Sequence, residues 1–399
     1  MREGWVEKRL KDVASVFAGQ SAPQKKEDYS LTGTPFIKAG NLSELISGKT
    51  ENSILKVTDF AVEKYGLKKY KSGSVLFAKS GMSCLKGYVY VTKCDCYVVS
   101  HLAIVQPKDK VNSYYLKYHF MYHKPYLLAK DTAYPSISIA DILNYKIILP
   151  KIEKQEQIVS ELDKITEMIS KYDEQLKELD KLSQSIFYEM FGDPVENEKG
   201  WEVKTLKNIS EKITSGNNAK LATGTYKSEG IPYFRCQNVW KNRIDFKDMV
   251  YIDEETNQKL KSSVLKHNDL LITKIGRINT ENSSLGRVSI YTGEDFQANL
   301  SGNLCFIRLL DTVNPIFVLN IMISNYFRDY IRRTTVGGTD KRALKSPQIG
   351  RFPIILPPLP LQQSFARKIE AIEAMKSKVK EAKREAETLL AARMQYWFE

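Results

Sequence analysis

The feature that most constrains this 399-residue chain is that it is written twice. GWVEKRLKDV at residues 4–13 aligns with GWEVKTLKNI at 200–209, placing Trp5 on Trp201, Leu10 on Leu206 and Val13 on Ile209. GTPFIKAGNL at 33–42 answers GIPYFRCQNV at 230–239, KSGSVLFAKSG at 71–81 answers KHNDLLITKIG at 266–276, and LKGYVYV at 85–91 answers LGRVSIY at 285–291. IILPKIEKQ at 147–155 answers IILPPLPLQ at 354–362. The order is kept throughout while small insertions shift the offset, as expected of an old duplication. Such a chain must fold as two related structures, each repeating the same solution to burying its apolar residues.

Each copy changes character after its IILP. Ile158, Leu162, Ile165, Ile169, Tyr172, Leu176, Leu179, Ile186 and Met190 follow a 4-3-4-3 alternation broken only at Ser183, and no Gly or Pro falls between Pro150 and Gly192. The pattern predicts one uninterrupted helix with a heptad seam, roughly 55–60 Å long. After Pro360, the residues Phe365, Ile369, Ile372, Met375, Val379, Ala382, Ala386, Leu389 and Trp397 form a looser and smaller stripe. A long helix with a narrow apolar seam must bury it against a partner, and each helix is the other's nearest candidate. A globular part lies between them in sequence, so the expected pairing is antiparallel, with the globular parts at opposite ends of a rod. Two separate coiled coils, each pairing with another chain, are the alternative.

Before each helix the sequence is mixed. VLFAK and LLITK read as strands, while SYYLKYHFMYH and PIFVLNIMISNYFRDYIRR carry helical spacing. The expected fold class is therefore α+β: two similar mixed α/β globular domains at 1–150 and 195–356, and long helices at 151–194 and 357–399.

The net charge of +13 is unevenly spread: +9 over residues 1–150, −6 over 151–199, +8 over 200–356 and +2 over 357–399. Two basic blocks suit a polyanion, because each Lys or Arg that neutralises a phosphate releases condensed counterions. No run approaches a membrane span and MREGWVEKRL lacks a signal-peptide core, so the expectation is a cytoplasmic protein with no membrane partner. The five cysteines, Cys84, Cys94, Cys96, Cys236 and Cys305, are odd in number and irregularly spaced, which suits a reducing compartment.

In the order of their motifs these residues resemble the specificity subunits of type I restriction-modification systems. The resemblance spans essentially the whole chain. It rests on GW-x-x-K-x-L opening each copy, on IILP with Gln155 or Gln362 before each long helix, on FYEMFGDP closing the first helix, and on the duplication itself. It implies two target recognition domains that each read half of an asymmetric, bipartite DNA site. It also implies paired helices that fix the gap and dock two methyltransferase (modification) subunits, to which restriction subunits are added. The second copy departs in its poorer seam and in LPLQQSFAR, which lacks the acidic residues of IEKQEQIVS.

DNA contacts are expected on loops, since strands and helices form the scaffold. In the first domain the candidates are Lys25, Lys26, Lys79, Ser80, Lys86, Tyr88, Lys130 and Tyr134. In the second they are Asn217, Asn218 and Lys220, then Lys274, Arg277 and Arg287, and finally Arg332, Arg333, Lys341 and Arg342 around TTVGGTDKR, whose two glycines permit close backbone approach.

No catalytic site is expected. Ser47-Gly48-Lys49-Thr50 lacks the first glycine of a phosphate loop. His119 and His123 share a helical face, with Cys94 and Cys96 as possible company, but the glutamate of a zinc protease motif is missing. Asp193, Glu202 and Lys204 have no spacing match in the first copy as a metal-dependent nuclease triple. The expectation is a non-catalytic DNA reader without cofactor; the alternative is a coiled-coil scaffold with non-specific nucleic-acid-binding domains.

Overall fold

The computed structural model describes residues 2–129, 131, 133–218, 226–280, 282–335 and 339–399. They form two compact units, residues 1–174 with 380–399 and residues 175–379. Candidates Lys130 and Lys220, and the glycine pair 337–338, lie outside the described residues.

In the first unit a four-stranded antiparallel sheet runs in the order Ala14–Ala18, Leu102–Pro107, Val75–Ala78, Val89–Val91. In the second unit the order is the same: Ser210–Ser215, Leu304–Leu309, Leu270–Thr273, Val288–Ile290. The central strands VLFA and LLIT are buried throughout, as their unbroken apolar character requires. A smaller sheet accompanies each, with Thr34–Ile37 parallel to Tyr97–Val98 in one and Ile231–Phe234 parallel to Asn299–Leu300 in the other. The helix Ser113–His123 has two counterparts, Pro315–Met322 and Asn325–Thr334. The single stretch of helical spacing is thus two helices that part at Ile323–Ser324, where the Ser324 hydroxyl donates to the Ile321 carbonyl at 2.7 Å.

The repeated motifs at the two ends of each globular part meet each other. Val6–Arg9 pairs antiparallel with Lys146–Leu149, and Glu202–Thr205 with Pro353–Leu356, so that GW-x-x-K-x-L and IILP form one two-stranded ribbon. Leu10 and Leu206, which end the opening motif, are fully buried. The glutamine five residues after each IILP proline is also buried. Gln155 accepts from the Asn112 backbone N–H at 2.9 Å and donates to the Pro150 carbonyl at 2.9 Å. Gln362 accepts from Asn314 N–H at 2.9 Å and donates to Pro357 at 2.7 Å. Asn112 and Asn314 in turn cap the helices that begin at Ser113 and Pro315. One buried amide per unit thus ties a globular helix to the first turn of a long one, satisfying polar groups that would be expensive to bury unpaired.

The long helices are Ile152–Phe191 and Leu359–Phe398, each 40 residues, or about 60 Å at 1.5 Å per residue. Within each unit they run antiparallel. In the first, Glu161 faces Arg393 and the Trp397 indole N–H, and Lys383 lies 2.6 Å from Asp173. In the second, Lys376 lies 2.7 Å from Asp180, while the Phe187 and Phe191 rings stand edge-on to Phe365 at 5.7 and 5.3 Å. The helices therefore pair within the chain.

Every seam position of the first helix, Ser183 included, is buried or half-buried, and the Ser183 hydroxyl bonds back to the Leu179 carbonyl at 3.0 Å. The second stripe needs correction at two places. Met375 and Leu389 are exposed, and their neighbours Lys376 and Leu390 turn inward instead. A stripe read at 3.5 residues per turn drifts on a helix of 3.6, and the buried Lys376 is accommodated by carboxylates at Asp180 and Glu373.

Candidate nucleic-acid interface

Three loop segments meet at one end of the strands of the main sheet in each unit, tied by backbone bonds. In the first unit Ser100 N–H donates to Gln20 O, Lys79 N–H to His101 O, and Ile137 N–H to Lys79 O. In the second, Asn217 bridges to Ser301, Lys274 N–H donates to Asn303 O, and Leu344 N–H to Lys274 O. The segments after the first strand of each main sheet, after the buried VLFA or LLIT strand, and before IILP are thus brought together in both units.

In the first unit Lys25, Lys26 and Lys86 are exposed, Lys25 beside Glu27 at 3.2 Å and Lys86 over the Tyr88 ring at 5.9 Å. Ser80 pairs with His101 through its hydroxyl at 2.9 Å and with Ser136 through its backbone. Tyr134 is 84% exposed and Met82 64%, on the two segments that this bridge joins. Met82 was no sequence candidate, since nothing in its neighbours marks an apolar residue as outward-facing.

In the second unit the bridge widens into a ribbon, Ile275–Arg277 against Lys341–Ala343, with Gly276 opposite Arg342. A Cβ on Gly276 would stand 2.3 Å from the Leu285 nitrogen, so only glycine lets the chain at 276 lie this close to residues 283–285. Arg328 braces the loop from behind, donating to Leu285 O at 2.7 Å and Ile278 O at 3.1 Å. Arg277 and Lys341 are exposed, and Lys274 donates to the Ser215 hydroxyl at 2.7 Å. Arg342 is half-buried, its Nε and Nη1 shielded and without hydrogen-bond partners among the described residues.

Three expectations need revision in kind. Asn217 turns its amide into the scaffold, donating to Ser262 and Ser263 at 3.1 and 3.2 Å, while its neighbour Asn218 stays exposed. Arg332 and Arg333 sit in the last turn of the helix Asn325–Thr334, where cations meet the carbonyl end of the helix dipole, and not on a loop. Arg332 is paired with Asp329 at 2.9 Å, and Arg333 donates to the Asp329 carbonyl at 3.4 Å.

Trp240 is the residue that sequence reading missed. It belongs to a hairpin, Val239–Trp240 with Arg243–Ile244, whose turn residue Asn242 has φ +52° and donates to Val288 O at 2.9 Å. That bond brings the indole against Arg287, with the guanidinium carbon 3.8 Å from the ring centroid. Arg287 is further held by Ser283 O at 3.0 Å and Asn282 O at 2.6 Å. Burial lowers the pKa of both Arg287 and Arg328 from the ordinary guanidinium value, so both cations are partly stripped of water in the free protein.

The groups weighed for catalysis have other occupations. Lys49 is paired with Glu44 at 3.0 Å. His119 is buried beneath Phe398 with its pKa pushed down to about 3, and His123 meets the Phe398 carbonyl at 3.1 Å. Asp193 accepts from the Val195 N–H at 2.7 Å, and Lys204 lies 3.2 Å from Glu202. Among the described residues no cluster of three His, Cys, Asp or Glu could hold a metal, and no helix is long and apolar enough to cross a membrane.

Comparison with known proteins places this geometry. The family model described as "Type I restriction modification DNA specificity domain" matches twice, over residues 2–181 and 198–387. The chain belongs to that family. Type I specificity proteins from Methanocaldococcus jannaschii are similar along their length: the MjaVIII specificity subunit is 21% identical over 97% of this chain and 92% of its own, and the putative MjaX subunit 24% over 97% and 93%. A third, MjaIX, is 27% identical but matches over 46% of this chain and 43% of its own. Among solved structures, the type I S subunit from M. genitalium superposes with a TM-score of 0.59 at 15% identity, covering 99% of this chain and 96% of that one. A chain of a type I restriction-modification complex superposes at 0.57 and 17%, covering 100% and 98%. As a member of the specificity family the chain is a DNA-recognition subunit, the non-catalytic component of such a system.

Proposed function

We propose that the chain reads a bipartite, asymmetric DNA site, with one globular part per half-site. The proposed division is a first recognition domain at 1–150, a helix at 151–194, a second recognition domain at 195–356 and a helix at 357–399. The observation that carries this reading is the loop cluster found at equivalent positions in both units. The scaffold of the two clusters is the same, while the side chains they display differ, which is what two readers of unequal half-sites require.

Within the first cluster Lys25, Lys26, Lys79 and Lys86 are the phosphate-contacting candidates, with Tyr88, Tyr134 and Ser80 beside the bases; Lys130 belongs to the same set by sequence. Within the second, Lys274, Arg277, Arg287, Lys341 and Arg342 carry the contact, with Asn218, Arg332 and Arg333 at its margin; Lys220 belongs to the same set by sequence. The partners are duplex DNA, two methyltransferase subunits and, in the full complex, restriction subunits. The long helices beside the buried Gln155 and Gln362 joints are where the methyltransferase subunits dock.

The test is to map methylated positions in DNA from cells that express the chain together with its modification subunits. A single recurring pair of short sequences at a fixed gap is expected. Methylation or binding without sequence preference, falling off uniformly with salt, would instead mark a non-specific scaffold.

A further inference from the structure

The two basic blocks are built from different cations. Residues 1–150 contain two arginines, Arg2 and Arg9, against ten in residues 200–356. Neither of the two lies on the first unit's loop cluster. The Arg2 guanidinium lies 4.4 Å from the Tyr396 ring, and Arg9 donates to Asn144 at 3.2 Å. Lysine offers a mobile point charge, whereas arginine offers a planar fork that matches two acceptors at once. The two acceptors that such a fork matches best on duplex DNA are O6 and N7 of guanine in the major groove.

Of the second unit's arginines, one is held in a manner suited to that use. Trp240 presents its indole face at 3.8 Å to Arg287 and is itself fixed by its ring N–H, which donates to Gln237 O at 2.9 Å. The Arg287 Nε–H and one Nη2–H are engaged by Ser283 and Asn282. Among the described residues nothing takes either Nη1 hydrogen or the second on Nη2, which leaves a fork for a ligand. A guanidinium oriented by two carbonyls and a ring surrenders little side-chain freedom on binding. Arg277, by contrast, is exposed and its side chain has no hydrogen bond or ion pair among the described residues, which suits a phosphate contact that needs charge more than direction. The strand registers place Tyr88 where Arg287 stands, and the aligned GTPFIKAGNLS and GIPYFRCQNVW place Ser43 where Trp240 stands. Ser43 lies in the helix Asn41–Ile46, so the first unit has neither the fork nor the hairpin that braces it.

We propose that Arg287, braced by Trp240, reads a guanine in the half-site of the second unit, and that the first unit reads its half-site without an arginine. This inference rests on the DNA-reading function proposed above. The experiment uses the full chain purified with its modification subunits and a pool of duplexes randomised over both half-sites, selected for binding at fixed salt. The wild type is expected to enrich one bipartite sequence with a G·C pair in one half. Arg287→Ala should lower discrimination at that one pair roughly tenfold to hundredfold and leave every position of the other half unchanged. Arg287→Lys, which keeps the charge and the stem, should lose most of the same discrimination; Trp240→Ala should follow Arg287→Ala at that pair, and Trp240→Phe should retain it.

Thermal unfolding of each variant separates misfolding from misreading, and Arg287→Lys serves as the decisive variant if Arg287→Ala loses stability. Equal weakening on all sequences, with a shallower salt dependence, would make Arg287 a phosphate contact and overturn the inference alone. A wild-type complex that enriches no sequence would overturn the DNA-reading function itself.

Discussion

In the first unit the Gln106 amide donates to the Ser74 hydroxyl at 3.2 Å, a neutral bond between two neighbouring strands. The strand registers, Val75 opposite Val105 and Leu270 opposite Ile307, put Arg308 and Asp269 at the same two places in the second unit. There they form a two-pronged ion pair at 2.9 and 2.7 Å, with Asp269 buried. The joints made by Gln155 and Gln362, in contrast, are the same to within 0.2 Å in both units. What joins a globular part to a helix has stayed identical between the copies; what lies in and around the recognition sheet has diverged, and in the second unit it has diverged toward guanidinium groups.

The largest expected difference lies at that pair. Asp269→Ala leaves the largely shielded Arg308 side chain, 12% exposed, without its carboxylate and should cost about 3–5 kcal/mol, read as a fall in the unfolding temperature of the second unit. The joints should then behave alike. Gln155→Ala and Gln362→Ala each strand a buried backbone N–H and a carbonyl, at about 2–3 kcal/mol apiece; a clear inequality in denaturant midpoints would break the equivalence of the two joints.

A second difference is in acid sensitivity. Burial holds His119 of the first unit at about 3, below its ordinary value of 6.5, with the His123 ring tilted against it at 4.5 Å and also lowered by burial. The unfolded chain therefore takes up the proton first, and the stability of this unit falls as pH drops from about 6.5 towards about 3, by about 2 kcal/mol at about pH 5. The second unit has no buried histidine, so His119→Phe, set among Phe120, Tyr145 and Phe398, should flatten the pH dependence of the first unit and leave the other unchanged. Ser74→Ala, which removes two neutral bonds, the one accepted from Gln106 and the one donated to the Lys71 carbonyl at 2.6 Å, should cost about 1–2 kcal/mol. Smallest of all, Lys376→Met exchanges a buried cation for an apolar side chain of similar length and should change stability by less than about 1 kcal/mol.

Much of this was legible in the sequence because the duplication supplies its own control: a motif that appears twice in the same order is a structural joint. The strands VLFA and LLIT and the first helix seam fall where periodicity places them, and the repeated motifs occupy equivalent positions in the two units, though their pairing into a ribbon was not legible. The second seam was misread at Met375 and Leu389 because a helix with many alanines offers several stripes of nearly equal apolarity, and carboxylates on the facing helix decide among them. At the candidate interface, exposure of loop lysines and arginines followed from composition, but partnership did not. Nothing local to Asn217 shows that Ser262 and Ser263 will claim its amide, and nothing local to Trp240 shows that Asn242 will carry it to Arg287. Both depend on contacts between residues some fifty positions apart, which no window of sequence contains.

The apolar core of the first unit is closed by Met394 and Phe398, residues separated from the rest of that core by more than two hundred positions of chain. A ribosome making this protein therefore releases the N-terminal sheet and helices long before the side chains that seal them exist. Until then Tyr115 and His119 lack the ring that covers them. A product broken off before residue 394 would carry an open, adhesive core, so the final turn of the helix Leu359–Phe398 acts as a lid that the first-made domain must wait for.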